Sequence, residues 1–272
     1  MSSSPILFYD SGAGGLPYLA AVRARLPAEP LVYLADRANY PFGEKEAGRL
    51  TELVLATLEL AARRFAPRLV VIACNTASVA ALAELRRRFP FPFVGVVPAV
   101  KPAVLLGPGR IAVVATRQTA AGPYLARLIE DFAAGVDVLK VPVSGLVDLA
   151  EYGYFTHSRD EKRRRVREQL QPLQEQQVAA VVLGCTHFLL LADEFRAALP
   201  PATVLIDSLA GVTNRVVDVL RGGALRSGPA PGPGGAELYL HGGEQDQERY
   251  RQFARAFGLD FRGRIEAPAA GG

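Results

Sequence analysis

The 272-residue sequence predicts an α/β protein of two similar lobes, each a mostly parallel sheet flanked by helices. Three observations carry this reading. Short unbroken runs of Val, Ile and Leu recur along the chain, as strands buried on both faces of a parallel sheet require. Between them lie stretches of helical length, the pattern of βαβ units. One plan also occurs twice, an apolar strand followed by a small residue, Cys and polar residues: Leu69-Val-Val-Ile-Ala-Cys-Asn-Thr76 and Ala180-Val-Val-Leu-Gly-Cys-Thr-His187. Asp10-Ser11 and Asp207-Ser208, each closing an apolar strand, form a second echo.

Taken in order, residues 6–9 are a strand ending at Asp10, and Ser11-Gly-Ala-Gly-Gly15 turns into a helix through Leu26. Residues 31–34 are a strand followed by a loop over 35–43. The amphipathic stretch 44–65 is a helix, 69–73 a strand and 75–89 a helix. A second series begins near 93–97. Its strands fall at 110–115, 136–141 and 178–184, and its helices at 122–132, 145–152, 160–176 and 189–198. Residues 203–206 add a strand before a helix through Leu220. The Gly/Pro-rich stretch 222–235 is expected to be a surface loop. Residues 237–241 are expected to form an edge strand, 245–257 a closing helix and 267–272 a frayed tail. The lobes are therefore expected to span 1–96 plus 208–272, and 97–207.

Composition narrows the function. Half the side chains are hydrophobic and spread along the whole chain, which excludes a disordered protein. The longest apolar runs, 69–72 and 178–183, fall far short of the roughly 20 residues that span a bilayer, so no membrane partner is expected. The start, Met1-Ser-Ser-Ser-Pro5, has no basic region ahead of its apolar run, and a cytoplasmic protein is expected. The net charge is only +4, and the one dense run of Arg, residues 159–168, is interrupted by Asp160, Glu161 and Glu168. That is the pattern of a solvated helix face, so no nucleic-acid partner is expected. Two Cys and three scattered His exclude a disulfide scaffold and give no metal site.

In open α/β sheets ligands bind beyond the carboxyl ends of the strands. Cys74 and Cys185 both fall there, each at a predicted helix start where free N–H groups and the dipole favour an anion. One such Cys alone would read as a small buried hydrophobe; both in the same position favour function. Two matched thiols on opposite sides of a carbon can remove a proton from one face and return one to the other. One Cys per lobe, across an interlobe cleft, meets that need and predicts the active site in the cleft. Asp10, His187 and Glu151 are candidates to set the protonation states. Their plainer readings are a helix N-cap, a core or capping histidine, and a solvated helix residue. Ser11, Asn75, Thr76 and Thr186 at predicted helix N-termini, with Thr116 and Thr119 after another strand, suit a small anionic substrate. Gly12, Gly14 and Gly15 allow close backbone approach. As a nucleotide loop this stretch lacks both the Lys-Ser/Thr ending and the full G-x-G-x-x-G spacing.

Four motifs, Tyr9-Asp-Ser-Gly-Ala-Gly-Gly-Leu16, Tyr40-Pro-Phe-Gly-Glu-Lys45, Ala73-Cys-Asn-Thr-Ala-Ser78 and Leu183-Gly-Cys-Thr-His187, together resemble the cofactor-independent aspartate/glutamate racemase family, and its glutamate racemases most. The resemblance runs from about residue 6 to 257. It implies direct 1,1-proton transfer at the α-carbon of glutamate, with no cofactor: neither pyridoxal phosphate, metal nor nucleotide. It implies Cys74, assisted by Asp10, on the D-glutamate side, and Cys185, assisted by His187 and Glu151, on the L-glutamate side. Substrate contacts are implied at Asp10, Ser11, Pro41, Phe42, Gly43, Asn75, Thr76, Thr116, Thr119 and Thr186. A role in supplying peptidoglycan and a homodimer are implied as well. Two stretches depart from the family: Phe42 stands where Tyr is common, and Ala35-Asp36-Arg37-Ala38-Asn39 replaces the usual Gly-Asp-Thr-Ala-Arg. The alternatives are a racemase of aspartate, another amino acid or a hydantoin, a Cys/His nucleophilic enzyme using only Cys185 and His187, and a binding module with inert thiols.

Overall fold

A computed structural model describes residues 4–107, 109–143, 145–222 and 234–265. It divides into two units, Met1–Val96 with Leu209–Gly272, and Val97–Ser208. The first begins β1 (Ile6–Asp10), α1 (Leu16–Arg25), β2 (Leu31–Asp36), α2 (Ala47–Phe65), β3 (Leu69–Ile72), α3 (Asn75–Arg88) and β4 (Phe93–Gly95). The second comprises α4 (Val100–Val104), β5 (Ile111–Ala115), α5 (Arg117–Ala121), α6 (Pro123–Phe132), β6 (Val138–Pro142), α7 (Leu146–Glu151), α8 (Arg159–Gln169), β7 (Ala180–Leu183), α9 (Ala192–Ala198) and β8 (Val204–Ile206). The chain then returns to the first unit with α10 (Leu209–Arg221), β9 (Ala236–His241), α11 (Gln247–Phe257) and β10 (Asp260–Ile265).

Both sheets are wholly parallel, with strand orders β10-β9-β2-β1-β3-β4 and β6-β5-β7-β8. In the first, β1, β2 and β3 are buried at every position, which is why they read as unbroken apolar runs. Leu7, Tyr9, Val32, Leu34, Val70 and Ile72 meet the apolar stripes of α2 and α3, including Leu50, Val54, Leu58 and Leu85. Their alternate neighbours, among them Ile6, Phe8, Tyr33 and Val71, are equally buried on the opposite face. In the second sheet, Ala112, Val114, Val181 and Leu183 pack with α7, α8 and α9. Ile111, Val113, Ala180 and Val182 pack with α4 and α6.

The structure corrects several expectations. Residues 93–95 do not open the second series; they pair with β3 and complete the first sheet. Residues 236–241 are not at an edge, because β9 lies between β2 and β10. The edge is β10, Asp-Phe-Arg-Gly-Arg-Ile, which lacks an apolar run and carries the charges that keep an exposed edge from pairing further. The helix expected over 160–176 is α8, which starts at Arg159 and stops at Gln169; Pro172 lies in the following 3-10 turn. As expected, α8 is a solvated face: Ser158 caps it, Arg164 and Arg165 pair with Glu168 and Glu161, and Val166 is its buried residue. The loop expected at 222–235 lies almost wholly, and the tail at 267–272 wholly, outside the described residues. Among the described residues no helix is long and apolar enough to cross a membrane.

Candidate active site

In the first unit β1 and β3 are neighbours, with Tyr9 opposite Ile72, and Tyr9 O accepts the Ala73 N–H at 2.8 Å. This register brings Asp10-Ser11 alongside Ala73-Cys74 at the carboxyl ends of the strands. Cys74 is buried and extended, at φ −140° and ψ 127°, directly before α3. Asp10 is fully buried, and its Oδ1 accepts the Gly12 N–H and the Ser11 hydroxyl, each at 3.3 Å. Because α1 starts only at Leu16, with Gly15 at its cap, Asp10 is no N-cap and Ser11 no helix start. The carboxylate is held by its own local turn instead. Asn75 and Thr76 do open α3, and the buried Asn75 Oδ1 has no hydrogen-bond partner among the described residues. An unsatisfied buried acceptor beside a thiol calls for a ligand donor.

The Ser11–Gly15 loop lies hard against β3. A Cβ on Gly15 would fall 2.6 Å from Ala73 Cβ. The Tyr33 hydroxyl threads this loop, donating to Gly12 O at 2.7 Å and accepting from Gly15 N at 3.0 Å. Phe42 is a core residue: its ring packs on Tyr9, 5.9 Å between centroids, in the cluster that also holds Cys74. The Phe42–Glu44 turn packs on α3, with Pro41 and Gly43 half-buried around it.

The second unit repeats the arrangement. β5 and β7 are neighbours, and Gly184 donates its N–H to Val114 O at 2.8 Å. Cys185 has φ −140° and ψ 136°, nearly the conformation of Cys74, and is half-buried. It opens a 3-10 turn, Thr186–Leu191, and α9 begins only at Ala192 rather than near 189. Thr186 and His187 are buried in that turn, and His187 Nε2 lies 3.2 Å from Glu151 Oε2. Glu151 ends α7 and is fully buried, so it is not a solvated helix residue. At the end of β5, Thr116 caps α5: its Oγ1 accepts the Thr119 N–H at 3.4 Å and meets Thr119 Oγ1 at 3.1 Å. Each unit thus gathers at its strand ends a thiol, a buried carboxyl group and side chains able to bind a small polar ligand.

Sequence reasoning overlooked a second acidic centre in the first unit. Asp36 closes β2 as Asp10 closes β1, and it is also fully buried. It accepts from Tyr9 Oη at 2.6 Å, Asn39 Nδ2 at 2.9 Å and Thr57 Oγ1 at 3.1 Å, and lies 2.8 Å from His241 Nδ1. Burial, and then the neighbouring Asp36, push the Tyr9 hydroxyl well above the usual phenol range. The available signal was a Tyr in an apolar strand and an Asp at a strand end; its partners, from four separate elements, could not be paired from sequence.

The sequence pattern of the Asp/Glu/Hydantoin racemase family matches residues 18–215, a span that contains both cysteines, Glu151 and His187. The chain belongs to that family. As a racemase-family member it is an isomerase. Glutamate racemase of Treponema pallidum (strain Nichols) is 36% identical over 264 residues, covering 95% of this chain and 96% of the relative. That of Deinococcus radiodurans is 42% identical over 235 residues, covering 85% and 80%. The crystal structure of Escherichia coli glutamate racemase, in complex with L-glutamate and the activator UDP-MurNAc-Ala, superposes with a TM-score of 0.87 at 32% identity, over 97% of this chain and 99% of that one. The family fold therefore extends over both parallel sheets.

Proposed function

We propose that the chain is a glutamate racemase working through two thiols. The observation that carries this reading is the matched geometry of Cys74 and Cys185. Each is an extended strand-end residue with φ −140°, one in each unit, followed by a hydroxyl side chain (Thr76, Thr186) and in a unit that holds a buried carboxyl group (Asp10, Glu151) at that end. A racemase needs two bases of similar character, because each must serve as acid in one direction and base in the other. Likeness to glutamate racemases along nearly the whole chain supports glutamate as the substrate.

In the proposed reaction the Cys74 thiolate removes the α-proton of D-glutamate. The Cys185 thiol delivers its own proton to the opposite face, giving L-glutamate, a Cys74 thiol and a Cys185 thiolate. The reverse direction exchanges the roles. Asp10 assists Cys74, and the His187–Glu151 pair assists Cys185. Asn75 Oδ1 accepts from the substrate, while Ser11, Thr76, Thr116, Thr119 and Thr186, with the 41–43 turn, complete the binding groups. The proposed physiological setting is the cytoplasm, with a homodimer as the working unit and D-glutamate passing to peptidoglycan, as expected from the sequence and the resemblance of its motifs.

The test is incubation of each glutamate enantiomer with the enzyme in D₂O without added cofactor, followed by circular dichroism and by NMR of the α-position. Loss of optical activity with deuterium uptake is expected. Cys74→Ala and Cys185→Ala should each lower turnover in both directions by about 10³-fold or more, as loss of an obligatory acid/base group does. Full turnover in either variant rejects the two-thiol scheme. Exchange with aspartate but not glutamate keeps the scheme and replaces the substrate.

A further inference from the structure

Arg37 lies directly after β2, and it is buried. Its Nε donates to Asp246 Oδ2 at 2.8 Å, and its Nη1 donates to the main-chain oxygen of Ser11 at 3.3 Å. The guanidinium lies over the Tyr40 ring, 3.8 Å from its centroid, and 5.7 Å from that of Tyr250. Asp246, also buried, belongs to the 3-10 turn before α11. The two segments are closely fitted: a Cβ on Gly243, whose φ is +63°, would fall 2.4 Å from Arg37 Cβ. On Gly242, with φ +69°, it would fall 2.7 Å from Ala38 Cβ.

A buried ion pair is by itself weak evidence of stabilisation, since a well-packed apolar pair of similar size does as well or better. What an apolar pair cannot do is donate to Ser11 O. That oxygen and the Gly12 N–H belong to one peptide plane, and a trans peptide directs them to opposite sides. On the far side, the Gly12 N–H donates to Asp10 Oδ1 at 3.3 Å. A cation holding the carbonyl fixes the plane and strengthens the hydrogen bond donated from its other end. We infer that Arg37, held by Asp246, is a positioning residue: through the Ser11–Gly12 peptide it orients the Asp10 carboxylate for its work beside Cys74. The inference rests on the proposed role of Asp10, and it makes the C-terminal segment of the first unit part of the support for its thiol.

The decisive variant is the double substitution Arg37→Met/Asp246→Asn, which removes the ion pair and keeps a side-chain oxygen for Arg249, the second cation that pairs with Asp246. We expect its melting temperature to stay within about 4 °C of the wild type. Its kcat for glutamate is expected to fall by about tenfold or more with KM nearly unchanged, as misplacement of a catalytic group does. Hydrogen exchange at the Gly12 amide, read by NMR, should accelerate about tenfold while β1 amides stay protected. A folded double variant with unchanged kcat and Gly12 exchange overturns the inference. Should that variant fail to fold, Asp246→Asn decides: an unaltered kcat and Gly12 exchange overturn it there too. The exchange measurement does not depend on turnover, so an enzyme inactive on glutamate would reject the function while still reporting on the peptide.

Discussion

Gly184 illustrates how tightly single residues are specified around the thiols. It sits between β7 and Cys185, and a Cβ there would come 2.9 Å from Ala115 Cβ and 3.0 Å from Val114 O. Neither neighbour is the end of a flexible side chain, so β5 and β7 must separate or Cys185 must move. Gly184→Ala is expected to lower stability by about 1–3 kcal/mol, the usual range for overpacking, and to lower turnover beyond what its denaturant midpoint explains. Urea unfolding alongside a racemisation assay checks both; wild-type values in each would remove the packing argument. Gly15, opposite Ala73 in the other unit, is the counterpart. Some of this was legible: the Gly-Cys-Thr-His and Ala-Cys-Asn-Thr strings marked both positions. The close approach was not, because it depends on which strand lies alongside, and the same holds for Glu151, whose burial against His187 joins residues far apart in the chain.

At the scale of elements, α2 shows how a local signal and a tertiary one combine. Leu50, Val54, Leu58 and Ala61 recur at helical spacing and face the sheet, a pattern visible in sequence. Its start is set by Glu46, the residue immediately before it, whose side chain accepts the N–H groups of Gly48 and Arg49 at 3.0 Å each. Those hydrogen bonds hold the Glu46 carboxyl below its ordinary value. A depressed carboxyl pKa contributes stability that is present above the unfolded-state value and is lost as pH falls through the folded value. Glu46→Ala should therefore lower the melting temperature at neutral pH, with the gap to wild type closing as pH drops below about 4. Melting curves from pH 7 to 3 test this, and a gap independent of pH would assign the effect to something other than the cap's charge. The helix was expected from residue 44 and begins at Ala47, because an apolar pattern locates the buried face and not the residue that caps the end.

For the whole molecule, the discontinuous first unit carries the main consequence. Its sheet needs β9 and β10 from the C-terminal segment, with Leu31–Asp36 paired along its length to Ala236–His241. A fragment ending at Ser208 would leave β2 with an unpaired apolar edge, Asp36 without His241, and Arg37 without Asp246. Such an edge with a stranded buried charge favours aggregation. The fragment is expected only in the insoluble fraction, and without a cooperative thermal transition after refolding. A soluble, cooperatively melting fragment would show that the first 96 residues can close their own sheet.

The sequence by itself determined the class of the fold, the alternation of buried strands with helices, and the two strand-end cysteines with their polar neighbours. Those features are written in local patterns: unbroken apolar runs, helical periodicity, and short motifs that open a turn. Only the tertiary structure decided that β4 completes the first sheet, that β9 lies inside it and polar β10 at its edge, and that Asp36 and Arg37 find partners more than 200 residues away. Strand order and buried polar pairing are settled by which surfaces close against each other. Many pairings satisfy the same local pattern, and the one that forms buries the central strands on both faces and pairs Asp36 with His241 and Arg37 with Asp246.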